Sequence, residues 1–156
     1  RQMCIRDSSL KEENLDAFTQ RFLKLAADEI IPEQMTPQID IDAVLDLQDI
    51  NAKFMSELKK MNPFGPDNQK PVFCSLGVKD YGTSKLVGKD LEHIKLELID
   101  DKSNTPIHGI AFGMHQHNTH IKNMKPFNIC YTIEENTYNG NTSLQLMVKD
   151  IKENDI

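Results

Sequence analysis

The chain has 156 residues, of which 38% are apolar, 27% charged and 6% aromatic. This length is typical of one domain with its own core, or of one domain and part of another. No run of 18 apolar residues occurs, so no transmembrane helix is predicted. The N-terminal residues also lack the apolar stretch of a secretion signal. Cys4, Cys74 and Cys130 have no paired spacing, which predicts reduced thiols in a cytoplasmic protein.

The distribution of charge along the chain is more informative than the net charge of −6. A negative chain repels polyanions, which argues against simple electrostatic binding of nucleic acid. Residues 1–62 carry 8 Lys or Arg against 12 Asp or Glu, whereas residues 71–130 carry 7 against 6 and hold all five histidines. The middle of the chain is therefore the stretch that a polyanion would find least repulsive.

The N-terminal region begins with a helix signal. Ser9 and Glu12 form a capping-box pattern, in which each side chain satisfies a backbone donor at the start of a helix. Apolar residues then recur at helical spacing, which predicts an amphipathic helix over residues 10–30 that Pro32 ends.

A strand and a second helix are predicted next. Apolar and polar residues alternate over residues 39–48, which predicts a strand with one buried face. A shorter helix follows over residues 50–61, capped by Asp49 or Asn51. Two helices and one strand do not make a complete sheet. Residues 1–62 are therefore predicted to be the remnant of a larger structure.

A connector rich in proline and glycine, residues 63–70, separates this region from the rest. A flexible linker would be polar throughout, but this one contains Phe64 between Pro63 and Gly65. The pattern favours a ring that fills a junction between domains over a ring that stacks on a base.

Residues 71–153 consist of short β-rich runs separated by turn residues, among them a polar turn at 100–104. Asn139 and Gly140 stand between two such runs and are typical of a two-residue hairpin. This spacing predicts a small barrel or a sandwich, so the fold class is α+β. The predicted strands are residues 72–79, 84–89, 94–99, 107–112, 127–134 and 143–151.

Basic and aromatic residues of the first strands form a candidate nucleic-acid site. Lysines contact phosphates while aromatic rings stack on bases in proteins that bind single strands. The alternative is that lysines on strands face solvent and protect sheet edges, and the pattern alone leaves the two about even. The residues concerned are Lys79, Lys85, Lys89, Lys95 and His93, with Tyr81 and Phe112 nearby.

Two clusters resemble metal sites. His115, His117 and His120 lie in a predicted loop over residues 114–123, where three imidazoles could bind zinc. No fourth ligand is evident, so a solvated loop is favoured. A solvated strand face is likewise favoured for the aspartates of the alternating segment, which are Asp40, Asp42 and Asp46, with Asp49 following. No phosphate loop, dinucleotide fingerprint or complete active site is present.

Four segments, in order, resemble the RecJ family of single-stranded-DNA-specific exonucleases. Residues 62–73, Asn-Pro-Phe-Gly-Pro-Asp-Asn-Gln-Lys-Pro-Val-Phe, resemble the family signature Gly-Pro-Phe-Gly-x-Gly-Asn-x-x-Pro-x-Phe. Asn62 and Asp67 replace glycines of that signature. The other segments are Val87-Gly88-Lys89-Asp90 with His93-Ile94-Lys95-Leu96, then Gly109-Ile110-Ala111-Phe112-Gly113, then Tyr138-Asn139-Gly140 with Ser143-Leu144-Gln145-Leu146.

The resemblance implies a domain order. RecJ proteins carry a DHH phosphoesterase domain that binds manganese or magnesium, then a DHH-associated domain, then an OB-fold. Residues 1–62 would correspond to the end of the associated domain and a connecting helix, residues 63–70 to the connector, and residues 71–153 to an OB-fold with an antiparallel β-barrel. The family's metal-binding motifs are absent from this sequence, so the chain alone is expected to have no catalytic or metal-binding residue and no nuclease activity.

The resemblance also implies a function, which is to help a 5′→3′ exonuclease bind single-stranded DNA in DNA repair and recombination. Its implied partners are single-stranded DNA and the remainder of its own chain, with no membrane. The expected DNA-binding residues are Lys85, Lys89, His93 and Lys95 for the backbone and Phe112 for stacking, and the expected junction residues are Pro63, Phe64, Gly65 and Asn68.

An alternative function is a protein-docking module without direct DNA contact. An exposed apolar patch near Phe64 or Phe54, with no basic groove beside it, would favour that alternative.

Overall fold

The computed structural model describes residues 10–31, 37–103, 105–138 and 140–153. They form two compact units, the first ending at Ile39 and the second beginning at Asp40. In the first unit a 3-10 turn, Glu12–Asn14, leads into helix α1, Leu15–Glu29. The predicted N-terminal helix is therefore confirmed, whereas Ser9 and Pro32, which were predicted to bound it, lie outside the described residues.

The strand predicted over residues 39–48 is largely wrong. Only strand β1, Ala43–Val44, forms there, and it pairs in parallel with one neighbour at the edge of the sheet. Ile41, which alternation assigned to a buried face, is exposed. The chain leaves the sheet because the Leu47 N–H donates to the Asp100 carboxylate at 2.7 Å, and a 3-10 turn, Leu47–Asp49, begins there.

Helix α2, Ala52–Lys59, confirms the second predicted helix. Asn51 is its cap, because the Asn51 side-chain oxygen accepts from the backbone N–H groups of Lys53 at 3.0 Å and Phe54 at 3.1 Å. Leu58 is buried on the inner face of this helix, and the Phe54 ring meets the ring of Phe73 edge-on at 5.6 Å. These contacts join α2 to the β-rich part of the chain.

The connector is tightly structured. Gly65 and Asn68 exchange two backbone hydrogen bonds, of 2.8 and 3.1 Å, which close a short turn. The Asn68 side-chain amide donates to the carbonyls of Met61 at 2.8 Å and Pro63 at 2.9 Å. The half-buried Phe64 packs against the core. The residues predicted at the junction therefore tie the end of α2 to the core, and their role between domains stays a prediction.

All six strands predicted in the β-rich region are present. Their bounds are β2, Phe73–Asp80; β3, Lys85–Val87; β4, His93–Ile99; β5, Ile107–Ala111; β6, Phe127–Tyr138; and β7, Asn141–Glu153. Together with β1 they form one seven-stranded sheet of the order β1-β2-β6-β7-β5-β4-β3. The predicted hairpin joins β6 to β7, where Gly140 has φ +79°, although Asn139 lies outside the described residues.

A further pairing between β2 and β4 closes five strands into a ring, β2-β6-β7-β5-β4. The barrel predicted to be antiparallel contains one parallel pair, β5 with β7, whereas the other pairs of the ring are antiparallel. A parallel pair needs a long connection between its strands, and the segment that contains β6 supplies one here.

The polar loop predicted over residues 114–123 is helical. A 3-10 turn, His115–His117, runs into helix α3, Asn118–Lys122. Ile121 of α3 is fully buried in the same apolar cluster as the inner residues of the strands. Burial of Ile121 thus joins the helix to the core, and five residues are too few to show a helical period in the sequence.

The core lies inside the ring and contains a short series of hydrogen-bonded polar groups. The hydroxyl of Tyr131 is 2.7 Å from that of Ser75, which donates to the carbonyl of Leu45 at 2.7 Å. Burial raises the pKa of Tyr131 to about 12. The fully buried apolar residues of the same core cluster include Val78, Ile94, Leu96, Leu98, Phe127 and Leu146.

The raised pKa of Tyr131 predicts a loss of stability at high pH. An unfolded tyrosine titrates near pH 10, so between pH 10 and pH 12 the unfolded chain releases a proton that the folded chain retains. Below pH 10 the effect vanishes, and across the window the free energy of unfolding should fall by about 2–3 kcal/mol. Urea unfolding as a function of pH measures this, and Tyr131→Phe should remove that part of the fall. The exposed-site control Tyr81→Phe should leave the fall in the free energy of unfolding unchanged. A fall in Tyr131→Phe as large as in the unchanged chain, or a reduced fall in Tyr81→Phe, would contradict the assignment of this effect to Tyr131.

The two described cysteines face each other across the sheet. Cys74 of β2 and Cys130 of β6 are Cα partners, and both are buried and free. Burial raises the pKa of each thiol, which disfavours the reactive thiolate.

Candidate nucleic-acid interface

The outer face of β3, β4 and β5 carries the residues predicted to bind DNA. On β4, Ile94, Leu96 and Leu98 are 0% exposed and point into the core. Side chains alternate along a strand, so His93 and Lys95 point to the outer face. The structure thus fixes the strand register, which the sequence left open.

Two lysines of this face and one in the turn beside it are exposed and available to anions. Lys85 and Lys95 are direct Cα partners on β3 and β4, and Lys89 lies in the turn after β3. Within the described residues none of the three forms a salt bridge, whereas Lys79 pairs with Asp101 at 3.0 Å. Like charges directly opposite each other on a sheet repel, so the Lys85–Lys95 pair costs some stability. Lys79, by contrast, already has a carboxylate partner.

Two carboxylates at the positions flanking His93 and Lys95, Glu92 and Glu97, have partners of their own. The Glu97 carboxylate accepts from the Thr83 hydroxyl and lies 3.6 Å from His108 Nδ1. Glu92 Oε1 is 3.2 Å from His93 Nε2. The pKa of Glu92 is lowered, first by its own backbone N–H and then by that of Asp90 and the histidine charges, against an opposing effect of desolvation. Neither carboxylate forms a salt bridge with a lysine of the face among the described residues.

Phe112 and His93 form a pair beside the lysines. Phe112 directly follows the last residue of β5, and 54% of the surface of this residue is exposed to solvent. The ring of His93 meets the ring of Phe112 edge-on, with centroids 4.9 Å apart and an angle of 77°. His93 Nδ1 accepts a hydrogen bond of 3.0 Å from the Gly113 N–H.

A buried carboxylate holds β3 in place. Asp80, at the end of β2, is 1% exposed, and its Oδ1 accepts from the hydroxyl of Ser84 at 2.6 Å and from the Ser84 N–H at 3.1 Å. The Ser84 hydroxyl also accepts from the Glu97 N–H of β4 at 3.0 Å. Because Ser84 directly precedes β3, this network positions the strand that carries Lys85. Lys122 of α3 lies 3.6 Å from the other Asp80 oxygen.

Comparison with known protein families identifies this fold. The model of the RecJ OB domain matches residues 41–150. The chain belongs to the RecJ OB domain family. The resemblance found in the sequence is therefore confirmed.

The relatives of this OB domain are longer proteins. The chain is 25% identical over 144 residues to the single-stranded-DNA-specific exonuclease RecJ of Haemophilus influenzae, covering 92% of this chain and 25% of that protein. It is also 25% identical over 143 residues to that of Bacillus subtilis, covering 91% of this chain and 18% of that one. The chain thus spans a quarter or less of the curated relatives it matches.

Solved structures support the same fold. RecJ of Thermus thermophilus in complex with Mn2+ matches with a TM-score of 0.72 at 17% identity, over 95% of this chain and 20% of that one. The complex of RecJ with Mg2+ matches with a TM-score of 0.71 at 16% identity, over 95% and 21%.

The histidines of the predicted metal loop do not come together as a triad in this OB domain. His117 Nδ1 lies 2.8 Å from one oxygen of Glu153, and His120 Nδ1 lies 3.2 Å from the other. His120 Nε2 is 3.3 Å from the Pro126 carbonyl, so both of its ring nitrogens have neighbours. Across the described ranges no group of three potential ligands has metal-binding geometry. His117 and His120 are therefore engaged with Glu153, and no hydrolytic step is assigned to them.

An apolar groove lies beside Phe54, as the docking alternative required. Its lining includes Phe54, Met61, Pro71 and Phe73. The alternative also required that no basic groove lie beside this patch, and among the described residues the lining includes the carboxylates of Asp42 and Glu57 and no lysine. The match to the RecJ OB domain nevertheless does not favour the docking alternative. No helix within the described part of the OB domain is long and apolar enough to cross a membrane.

Sequence reasoning missed several residues of this interface. Asp80 and Glu92 act through contacts with Ser84 and His93, and isolated acidic residues give no signal of such partners. Lys149 is also exposed and follows Val148, the Cα partner of Ala111, so it stands next to the position of Phe112. Only the parallel pairing of β5 and β7 brings it there.

Proposed function

We propose that this OB domain is part of a longer RecJ-like 5′→3′ exonuclease of the cytoplasm and that it binds single-stranded DNA in repair and recombination. The observation that carries the proposal is the outer face of β3, β4 and β5, where Lys85, Lys89 and Lys95 lack salt bridges within the described residues beside the exposed ring of Phe112.

The position of this face supports the proposal. The ring of five strands corresponds to the partly open barrel of an OB-fold, with β4 and β5 as its second and third strands. OB-folds bind oligonucleotides on that face and with the loop between their first and second strands. Here that loop contains β3, which carries Lys85, and the turn that carries Lys89.

The local charge also supports the proposal. The chain has a net charge of −6, so an unpaired cluster of lysines is not explained by an overall excess of positive charge. The Lys85–Lys95 pair costs stability in the free protein, and phosphate between the two ammonium groups would relieve the repulsion. Pairs of like charges that cost stability in the free protein are expected at functional surfaces.

The chemistry of hydrolysis belongs, in this proposal, to the part of the longer chain that this sequence does not contain. Manganese or magnesium would bind there, in the DHH domain implied by the sequence resemblance. The residues of this chain bind and orient the single strand, and the remainder of the longer chain is the second partner.

Fluorescence anisotropy with labelled oligo(dT) and a duplex of equal length tests the proposal. The chain is expected to bind the single strand, weakly and more tightly than the duplex, because bases can stack on Phe112 only when unpaired. It is expected to leave both strands intact when manganese is added. Equal affinity for both, or cleavage by the pure chain, would contradict the proposal.

A further inference from the structure

We propose that His93 is a positioning residue, which holds the ring of Phe112 as a base-stacking platform and does not contact phosphate. The proposal rests on the proposed function, since it assigns roles within the same single-strand-binding face. It changes the role expected for His93 from the sequence, which was contact with the DNA backbone.

Both ring nitrogens of His93 are already engaged. Nδ1 accepts from the Gly113 N–H at 3.0 Å, which requires its lone pair and therefore places the ring proton of the neutral form on Nε2. Nε2 faces Glu92 Oε1 at 3.2 Å, so a carboxylate oxygen already lies beside the ring nitrogen that carries the proton. A phosphate would have to reach Nε2, the donor of this ring, where the negative charge of Glu92 opposes its approach. Only 29% of the His93 side chain is exposed, in contrast to the exposed lysines around it.

The same contacts fix the turn that presents Phe112. Gly113 has φ +68°, a backbone conformation that residues with a side chain rarely adopt. The Gly113 N–H donates a hydrogen bond to His93, the first residue of β4, and this hydrogen bond holds the turn in place. The edge of one ring against the other then limits rotation of Phe112.

A ring that is exposed yet held in place is suited to stacking. Ordering a side chain on binding costs affinity, and a ring held beforehand avoids part of that cost. Base stacking on an aromatic ring tolerates any base, because every base has a π-face. The ligand of the platform is therefore an unpaired base of any identity, next to phosphates held by Lys95 and Lys85.

Comparison of oligo(dT) with an abasic strand of equal length separates stacking from phosphate contact. Phe112→Leu keeps an apolar side chain but removes the π-face, and it should weaken binding of oligo(dT) by about 10-fold. His93→Ala should weaken it in the same direction, and in both variants the loss on the abasic strand should be much smaller. His93→Gln, whose side-chain carbonyl can still accept from Gly113, should lose less than His93→Ala.

A tryptophan at the platform gives a second readout. The chain contains no Trp, so Phe112→Trp introduces a single fluorophore that a stacked base should quench. Oligo(dT) should quench it and the abasic strand should not, and adding His93→Ala should reduce the quenching at saturation. Leu76→Ala, which removes another exposed apolar side chain, from β2, is the matched control and should change neither readout.

The outcomes distinguish the two proposals. Equal losses of His93→Ala on both strands would assign His93 to phosphate and overturn this inference, as would quenching that His93→Ala does not change. Absence of oligo(dT) binding by the unchanged chain would overturn the proposed function, and this inference with it.

Discussion

Replacing both Lys85 and Lys95 by glutamate is expected to weaken binding of oligo(dT) by roughly 10- to 100-fold. The two residues are Cα partners without salt bridges among the described residues, so the double variant turns the centre of the face from positive to negative. Anisotropy titration at low salt measures the loss, and the salt dependence of binding should fall with it.

The design separates binding from stability. A pair of glutamates repels much as a pair of lysines does, but it also adds negative charge on the face that carries Glu97. The double variant should therefore unfold at an equal or slightly lower urea concentration than the unchanged chain. The single variant Lys85→Glu places opposite charges across the strands and should bind more weakly while being equally or slightly more stable. Lys53→Glu, an exposed substitution on α2 with the same change in charge, is the control. Equal losses in Lys53→Glu and in the double variant would contradict the location of the site.

Replacing Asp80 by alanine is expected to lower the free energy of unfolding by about 2–4 kcal/mol. The substitution removes the acceptor for the hydroxyl and N–H of Ser84, which is 1% exposed, and both donors would remain buried. It also removes the partner of Lys122. Urea denaturation measures the loss.

Asp101→Ala is the matched control for Asp80→Ala. The Asp101 side chain is 85% exposed and pairs with Lys79 at the surface, so its loss should cost less than about 1 kcal/mol. Asp80→Ala should also weaken oligo(dT) binding, because the network around Ser84 positions the strand that carries Lys85. Equal stability losses in the two variants would contradict the view of Asp80 as a buried anchor.

The six strands of the β-rich region could be predicted because their local signals agree. Apolar and polar residues alternate on β4, where Ile94, Leu96 and Leu98 are buried, and the turn residues between strands mark the strand ends. Gly140 fits the hairpin for the same local reason. The parallel pairing of β5 and β7 could not be predicted, because partners in a sheet are chosen by tertiary packing and both orientations share one alternating pattern.

The errors in the fold have a common physical cause. The alternation over residues 39–48 is real, but β1 has one neighbour and the chain turns away where Asp100 accepts from the Leu47 N–H. Helix α3 depends on the burial of Ile121, a tertiary contact that cannot be predicted from the sequence of a short polar segment. In both cases one long-range interaction outweighed the local pattern.

The sequence showed that the candidate site contains lysines, but it could not show to which face of the sheet their side chains point. A shift of one residue in the strand register would have turned Lys95 into the core and Ile94 outward. The supporting contacts, Glu92 on His93 and Asp80 on Ser84, are side-chain pairings that follow only from the fold. The sequence therefore indicated which residues are basic and aromatic, and the structure assigned which of them share a face.

The salt dependence of oligo(dT) binding by the unchanged chain tests the central claim most directly. If three or four lysines neutralise phosphates, the logarithm of the affinity should fall linearly with the logarithm of the salt concentration, with a slope of about −2 to −3. A slope near zero, or no binding at low salt, would contradict the claim that this face binds single-stranded DNA through its unpaired lysines.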